Sequence, residues 1–390
     1  MLDLPDNASI DHLRQQAKDL LVVLRRDDPG ASLSAAQLTI ARKHGYDSWA
    51  ELKAEVDRLR SRPPLVAPDE RAVAVAAAYD LGAVESAMTH VGLEWAGGVW
   101  DLVTDRGRFV VTELQRYVVP AHIDLQAELV EQAIAAGVVA PVPVRGPDGR
   151  CALEVDGAAW QVHRWMPLGP TPPQPPPADL AVEAGRALAV IHGLRLPPPA
   201  PVVDWLTHRW SEDEWLGVVA QARNAGCDWA DDLERAVPGF VALDSILDRD
   251  DPNPRAIFTK AWHAPSGSRV LAGRRLALVG WEHSGAVPMD WDVAAAVCAW
   301  SETVEGGYDL VAAKAFLVGY RDAGGEVDLR PESFSCGVTA GLNWTISRAN
   351  VASGSCDEQE RALADRAIRT IVRDPLRLET VQALVDATAC

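Results

Sequence analysis

Residues 256–300, AIFTKAWHAPSGSRVLAGRRLALVGWEHSGAVPMDWDVAAAVCAW, constrain the fold of this chain more than any other stretch. Apolar runs at 256–258 and 276–279 read as strands and a Ser/Gly segment between them as a turn, with an alanine-rich apolar helix from about Asp292 onward. Strand, loop, strand and helix in that order pack as one α+β unit.

The rest of the chain supplies the context. Three short helical patterns open it. Ser9 is placed to cap a stripe of Ile10, Leu13, Ala17, Leu20, Leu21 and Leu24, which Asp27-Asp28-Pro29-Gly30 ends. A second helix runs through Ala36, Leu38, Ile40 and Ala41 to Gly45, and Ser48 with Glu51 forms a capping box for a third. Prolines at 63, 64 and 68 make a stiff linker, because proline fixes φ and removes a donor. Residues 69–90 read as one or two helices, and strands follow at 93–95, 97–103 and 108–114. Gly97-Gly98 stands at a hairpin, where two glycines ordinarily make a turn. A helix at 124–136 leads to an apolar segment at 138–144, Asp148-Gly149 to a hairpin, and Thr171 to Pro177 to a polyproline connector. Helices are expected at 180–194, 203–222, 231–247, 310–321, 334–351 and 358–386.

Three segments carry a family resemblance: Ala184-Gly185-Arg186-Ala187-Leu188-Ala189-Val190-Ile191-His192, the strand entry at 137–144 with Trp160 to Gly169, and Leu278 to Pro288 followed by Trp291-Asp292-Val293-Ala294 and Trp300. Together they resemble the aminoglycoside phosphotransferases, the small-molecule branch of the protein-kinase-like fold, from about Leu93 to the C-terminus. The resemblance implies an α+β, two-lobed kinase-like fold with an N-terminal three-helix appendage. Its divisions are a helical unit at 1–62, a linker at 63–68, an N-lobe at 69–168 and a mostly helical C-lobe at 169–390. The cleft would lie between 99–114 and 259–282, with 161–169 as the hinge. The leader is similar to short helical units ahead of assorted bacterial domains, and residues 1–60 read as a docking or stabilising appendage open to a protein partner.

Phosphoryl transfer relies on positioned charge: a carboxylate at the acceptor hydroxyl, an Asn and an Asp on Mg²⁺, and a Lys on the phosphates. By the resemblance, those positions hold Ala261 or Trp262, the Ser266–Arg269 segment without an Asn, Gly280 and Thr112. Glu128, which would pair the lysine, then reads as a solvated or capping residue, Asp292 as a helix cap, and His192 as a packed residue. The expected protein is a non-phosphorylating relative that binds a small cationic or planar molecule, or a basic peptide, in the old cleft. ATP and Mg²⁺ would bind weakly or not at all, with no metal site. Candidate acid–base groups are Lys260, His263, Glu282 and His283, although a histidine at 263 also reads as an ordinary surface-loop residue. Candidate ligand contacts are Trp262, Trp281, Trp210, Glu214, Trp165 and Thr112. The alternative is an ATP-dependent antibiotic phosphotransferase with a non-standard site, in which Glu282, Asp290 or Asp292 would hold metal.

Composition agrees. The formal charge of −18 argues against nucleic acid and suits a cationic ligand. Fourteen Trp against five Phe and five Tyr favour recognition of cations or planar rings. Six scattered cysteines (Cys151, Cys227, Cys298, Cys336, Cys356, Cys390), no membrane-length apolar run and no basic N-terminus lead to the expectation of a reduced, cytoplasmic protein.

Overall fold

The computed structural model describes residues 10–27, 30, 32–60, 69–94, 96–115, 118–303, 307–355 and 358–388. Ser9, Asp28, Pro29, the linker at 63–68, Trp95, Cys356 and Cys390 lie outside them.

Helices α1 (Ile10–Asp27), α2 (Leu33–Lys43) and α3 (Trp49–Arg60) close on a core of Ile10, Leu13, Ala17, Leu20, Ile40, Leu52 and Val56. The α3 cap differs from the expected box in one respect. Ser48 Oγ accepts from Glu51 N–H at 3.2 Å, but the Glu51 carboxylate reaches Asp47 N–H at 3.1 Å instead of Ser48.

Helix α4 (Asp69–Ala78) is the only helix in the stretch from which up to two were expected. The backbone turns left-handed at Asp80 and Gly82, and residues 79–88 fold onto the strands instead. There the Thr104 hydroxyl donates to Leu81 O at 2.6 Å and the Asp105 carboxylate accepts from Ala83 N–H at 2.8 Å. Strands β1 (Thr89–Glu94), β2 (Gly97–Thr104) and β3 (Gly107–Leu114) precede α5 (Pro120–Ala135). Then come β4 (Pro143–Val144), β5 (Ala152–Val155) and β6 (Ala158–Arg164). All strand pairs in this sheet are antiparallel, in the order β1-β2-β3-β6-β4, with β5 also on β6. The hairpin expected at Asp148-Gly149 forms eight residues later: β5 and β6 turn at Asp156-Gly157, both at positive φ. Asp-Gly suits that primed turn, and the sequence offered the pair twice. One sheet face packs Trp100, Leu102, Phe109, Val111 and Trp160 on α4, and the other packs Leu114 and Ala152 on Ile123 and Ala127 of α5.

The helical lobe contains α6 (Ala178–Gly193), α7 (Glu212–Asn224) and α8 (Ala230–Ala242). Strands β7 (Ala256–Thr259), β8 (Ser268–Val270), β9 (Leu276–Leu278) and β10 (Gly285–Pro288) form two small ladders, β7 with β10 and β8 with β9. Helices α9 (Met289–Ser301), α10 (Leu310–Asp322), α11 (Ser335–Gly354), α12 (Glu358–Arg373) and α13 (Leu378–Thr388) complete it. The helix expected at 203–222 is a 3-10 turn, Asp204–Leu206, followed by α7, and the one at 358–386 breaks into α12 and α13 at Pro375. The glycine of the Ala184–His192 segment has a packing reason: a Cβ on Gly185 would stand 2.0 Å from Phe316 O, so α6 and α10 meet backbone to backbone.

The N-terminal helices make side-chain contacts with the helical lobe. Lys43 hydrogen-bonds Gln174, the Arg366 guanidinium lies 5.2 Å from the Tyr46 ring, and Arg373 pairs with Asp47 at 3.7 Å. Among the described residues no helix is long and apolar enough to cross a membrane.

Candidate functional site

The loop after β7 is built on a backbone kink. Ala261 and Trp262 both take positive φ, 48° and 40°, a conformation that L-residues rarely adopt and that costs roughly 1–3 kcal/mol each. Trp262 lies in solvent, 55% exposed, while the next residue, His263, is 1% exposed in the helical lobe. His263 Nε2 meets Ala184 O at 3.0 Å, its ring packs on Trp300 and Phe316, and Trp300 Nε1 donates to the His263 carbonyl at 3.0 Å. Burial, with the Lys260 charge adding, lowers its pKa to about 3. His263 is thus neither the surface-loop residue nor the acid–base group considered from sequence: the kink turns it into the core, out of reach of any cleft ligand.

Lys260 is fully buried as well. Its Nζ donates to Gly280 O at 3.0 Å and lies 5.7 Å from the Trp281 ring. Burial lowers its pKa to about 8, opposed by Glu282 and Asp292. Trp281 is a core residue with Leu129, Ile191, Phe258 and Leu278, and its Nε1 donates to Leu278 O at 3.0 Å. It supports Lys260 from beneath and offers no open face, which corrects its expected role as a ligand contact.

Glu282 and His283 follow on the same loop, which α5 fastens. Gln126 Nε2 donates to Glu282 O at 3.0 Å, and the His122 ring meets Ser284 O at 2.9 Å. The Glu282 carboxylate lies 4.0 Å from His283 Nε2, and the His283 ring stands 6.3 Å from that of Trp262. Burial depresses the His283 pKa, Glu282 opposes that, and Lys260 adds to it. The structure therefore brings Lys260, Trp262, Trp281, Glu282 and His283 together, of which Trp262 and His283 are exposed and Glu282 is partly buried.

The other candidates sit elsewhere. Thr112, 3% exposed, pairs with Val99 and Gln161 in the middle of the sheet and presents no cation. The exposed Trp165 ring carries the Arg108 guanidinium at 4.7 Å, itself held by Asp101 at 2.7 Å. Trp210 Nε1 donates to Asn343 on α11 at 2.6 Å, and the Glu214 carboxylate caps α7 by accepting from Ser211 N–H at 2.8 Å. Capping and helix packing replace the cation-binding role expected of these two. A concavity of about 310 Å³ lined by Arg209, Asp248, Trp291 and Ser335 lies apart from the Lys260 group. Its charges are engaged: Arg209 donates to Leu247 and Asp248 carbonyls, and Asp248 pairs with Arg255.

Asp292 is not a helix cap. It lies inside α9, 2% exposed, accepting from Thr259 Oγ1 at 2.8 Å and meeting His192 Nε2 at 3.0 Å, while His192 Nδ1 meets Tyr320 OH at 2.9 Å. Sequence reading singled out His192 and Asp292 separately; only the packing of α6 on α9 pairs them.

The residues present do not fit the Mg²⁺ that the fold implies. Gly280, at φ +69°, supplies no carboxylate, the 266–269 segment supplies no Asn, and the Lys260 ammonium already lies against Gly280 O. Among the described residues no group of three or more His, Cys, Asp or Glu is placed to hold a metal ion.

No protein-family model and no curated protein matches this sequence. Solved structures do. An aminoglycoside phosphotransferase from Alicyclobacillus acidocaldarius superposes with TM-score 0.52 at 14% identity, covering 84% of this chain and 97% of that one. A spectinomycin phosphotransferase in complex with ADP and spectinomycin gives 0.58 at 10% identity, over 84% and 99%. An amicoumacin kinase in complex with AMP-PNP and Ca²⁺ gives 0.51 at 13% identity, over 86% and 96%. On these likenesses the chain has the kinase-like fold of the aminoglycoside phosphotransferases.

Proposed function

We propose that this protein binds a small cationic or planar molecule, or a basic peptide, in the cleft of its phosphotransferase fold and transfers no phosphate to it. The observation that carries the reading is the exposed Trp262 ring beside His283 and Glu282, on the loop where a phosphotransferase base would stand. An indole contributes ~0.5–2 kcal/mol to a cation when desolvated, and the Glu282 carboxylate adds Coulomb attraction. Neighbours named for spectinomycin and amicoumacin favour an amine-bearing natural product, hence a role in its biosynthesis or in resistance. If the cleft carries repurposed chemistry, Glu282 and His283 are the groups left to perform it, since Lys260 and His263 are enclosed.

The expected result is that Trp262→Ala weakens binding of amine-bearing ligands by about 1–3 kcal/mol. Glu282→Gln should weaken it and flatten its salt dependence, because screening acts on the charge and not on the ring. A ligand panel read by calorimetry checks this; cationic hits that bind wild type and both variants equally would remove the site from the cleft.

A second reading, an ATP-dependent antibiotic phosphotransferase with a non-standard site, rests on one observation. The Glu282 carboxylate lies 3.8–3.9 Å from where a Cβ on residue 280 would be, close to the missing metal carboxylate. Calorimetry with Mg·ATP separates the two. We expect no tight, Mg²⁺-dependent binding, since the triphosphate would meet neither the lysine nor the metal carboxylate; low-micromolar affinity would establish the kinase reading instead.

A further inference from the structure

The two segments that would hold the metal in a phosphotransferase converge in this fold on a side chain of the protein itself. Val279 N–H donates to Gly267 O at 2.9 Å, and a Cβ on Gly280 would lie 3.6 Å from Gly267 Cα, so the 266–269 and 280 segments touch. Lys260 Nζ is 3.0 Å from Gly280 O and would be 3.0 Å from a Cβ on Gly267. An ammonium therefore sits at the junction of the two segments, fully buried, with the Trp281 ring on one side and the Glu282 charge nearby.

We propose that Lys260 is a tethered cation in the place of the divalent metal and that it excludes one from the cleft. Mg²⁺ requires oxygen ligands at about 2.0–2.1 Å in near-octahedral array. Here Gly280 O already accepts from the ammonium, and a second cation within a few ångströms would be repelled in a poorly solvated site. The lysine is a positioning residue, joining the loop after β7 to the loop after β9. Exclusion of metal follows from its place whatever ligand occupies the cleft, so this inference stands or falls apart from the cation-binding function.

The test is Mn²⁺ binding to the full-length protein, followed by electron paramagnetic resonance and calorimetry. Wild type, Glu282→Gln, Lys260→Met, Gly280→Asp and the Lys260→Met/Gly280→Asp pair are compared, with circular dichroism and melting as fold checks. Methionine keeps most of the apolar stem, and aspartate tolerates the left-handed backbone at 280 better than most residues. Wild type and Gly280→Asp are expected to show no saturable binding, and the double variant to bind Mn²⁺ at least about tenfold more tightly than Gly280→Asp. Saturable binding by wild type that Glu282→Gln weakens would overturn the proposal. So would a folded double variant that binds no better than Gly280→Asp. The wild-type and Glu282→Gln arms leave Lys260 untouched, so they can overturn the exclusion even if Lys260→Met does not fold.

Discussion

Replacing Asp292 with alanine will destabilise the protein by about 2–6 kcal/mol, the cost of leaving two buried hydrogen-bond donors without their acceptor. The carboxylate accepts from Thr259 and His192 in a site closed to water. Its removal strands a hydroxyl and a ring nitrogen, each costing roughly 1–3 kcal/mol when buried without a partner. Asp292→Asn, which keeps the shape and one acceptor oxygen, should lose less. Burial pushes the Asp292 pKa up, but hydrogen bonds from His192 and Thr259 outweigh it and hold the carboxyl below its usual range. The stabilisation is accordingly complete above pH ~4, where the unfolded carboxyl is ionised, and is lost as pH falls through the depressed folded value. Urea denaturation at neutral pH checks the main effect: a loss under about 1 kcal/mol for Asp292→Ala would mean that the pairing contributes little.

The second large effect is acid destabilisation through His263. The unfolded imidazole takes a proton near pH 6.5, whereas the buried ring does so only near about 3. Between those values the unfolded chain binds the extra proton, so stability falls with pH by ~1.4 kcal/mol per unit and by several kcal/mol across the window. Above pH 6.5 this group contributes no slope. His163, lowered to about 4 by burial, acts in the same direction. His263→Gln gives up some stability at pH 7 but removes the titrating group, so its profile between pH 6 and pH 4 should be flatter than wild type by about 1.4 kcal/mol per unit. Denaturant titrations at pH 7, 6, 5 and 4 measure this. Parallel profiles would show that His263 is not the group responsible.

The fold was legible because its cues are local or periodic. The apolar spacing of α1, α6 and α9, the glycine at 185 and the Trp-Asp spacing at 291–292 are properties of short windows, and they were sufficient to identify the lobes. The family resemblance was local as well, and it is the resemblance that sets Gly280, and Ala261 or Trp262, against positions where phosphotransferases carry carboxylates. The sequence thus determined the architecture. Which candidates are exposed was decided only by tertiary structure, because burial depends on contacts between residues far apart in the chain. Trp262 and His263 are adjacent, yet two left-handed residues expose one and enclose the other against Ala184 and Trp300. Lys260 read as a free acid–base group until the turn at Gly267 and the bend at Gly280 closed over it. His192 and Asp292 are 100 residues apart and form one hydrogen-bonded pair. Such pairings depend on how α6 and α9 pack, and residue spacing along the chain carries no record of that.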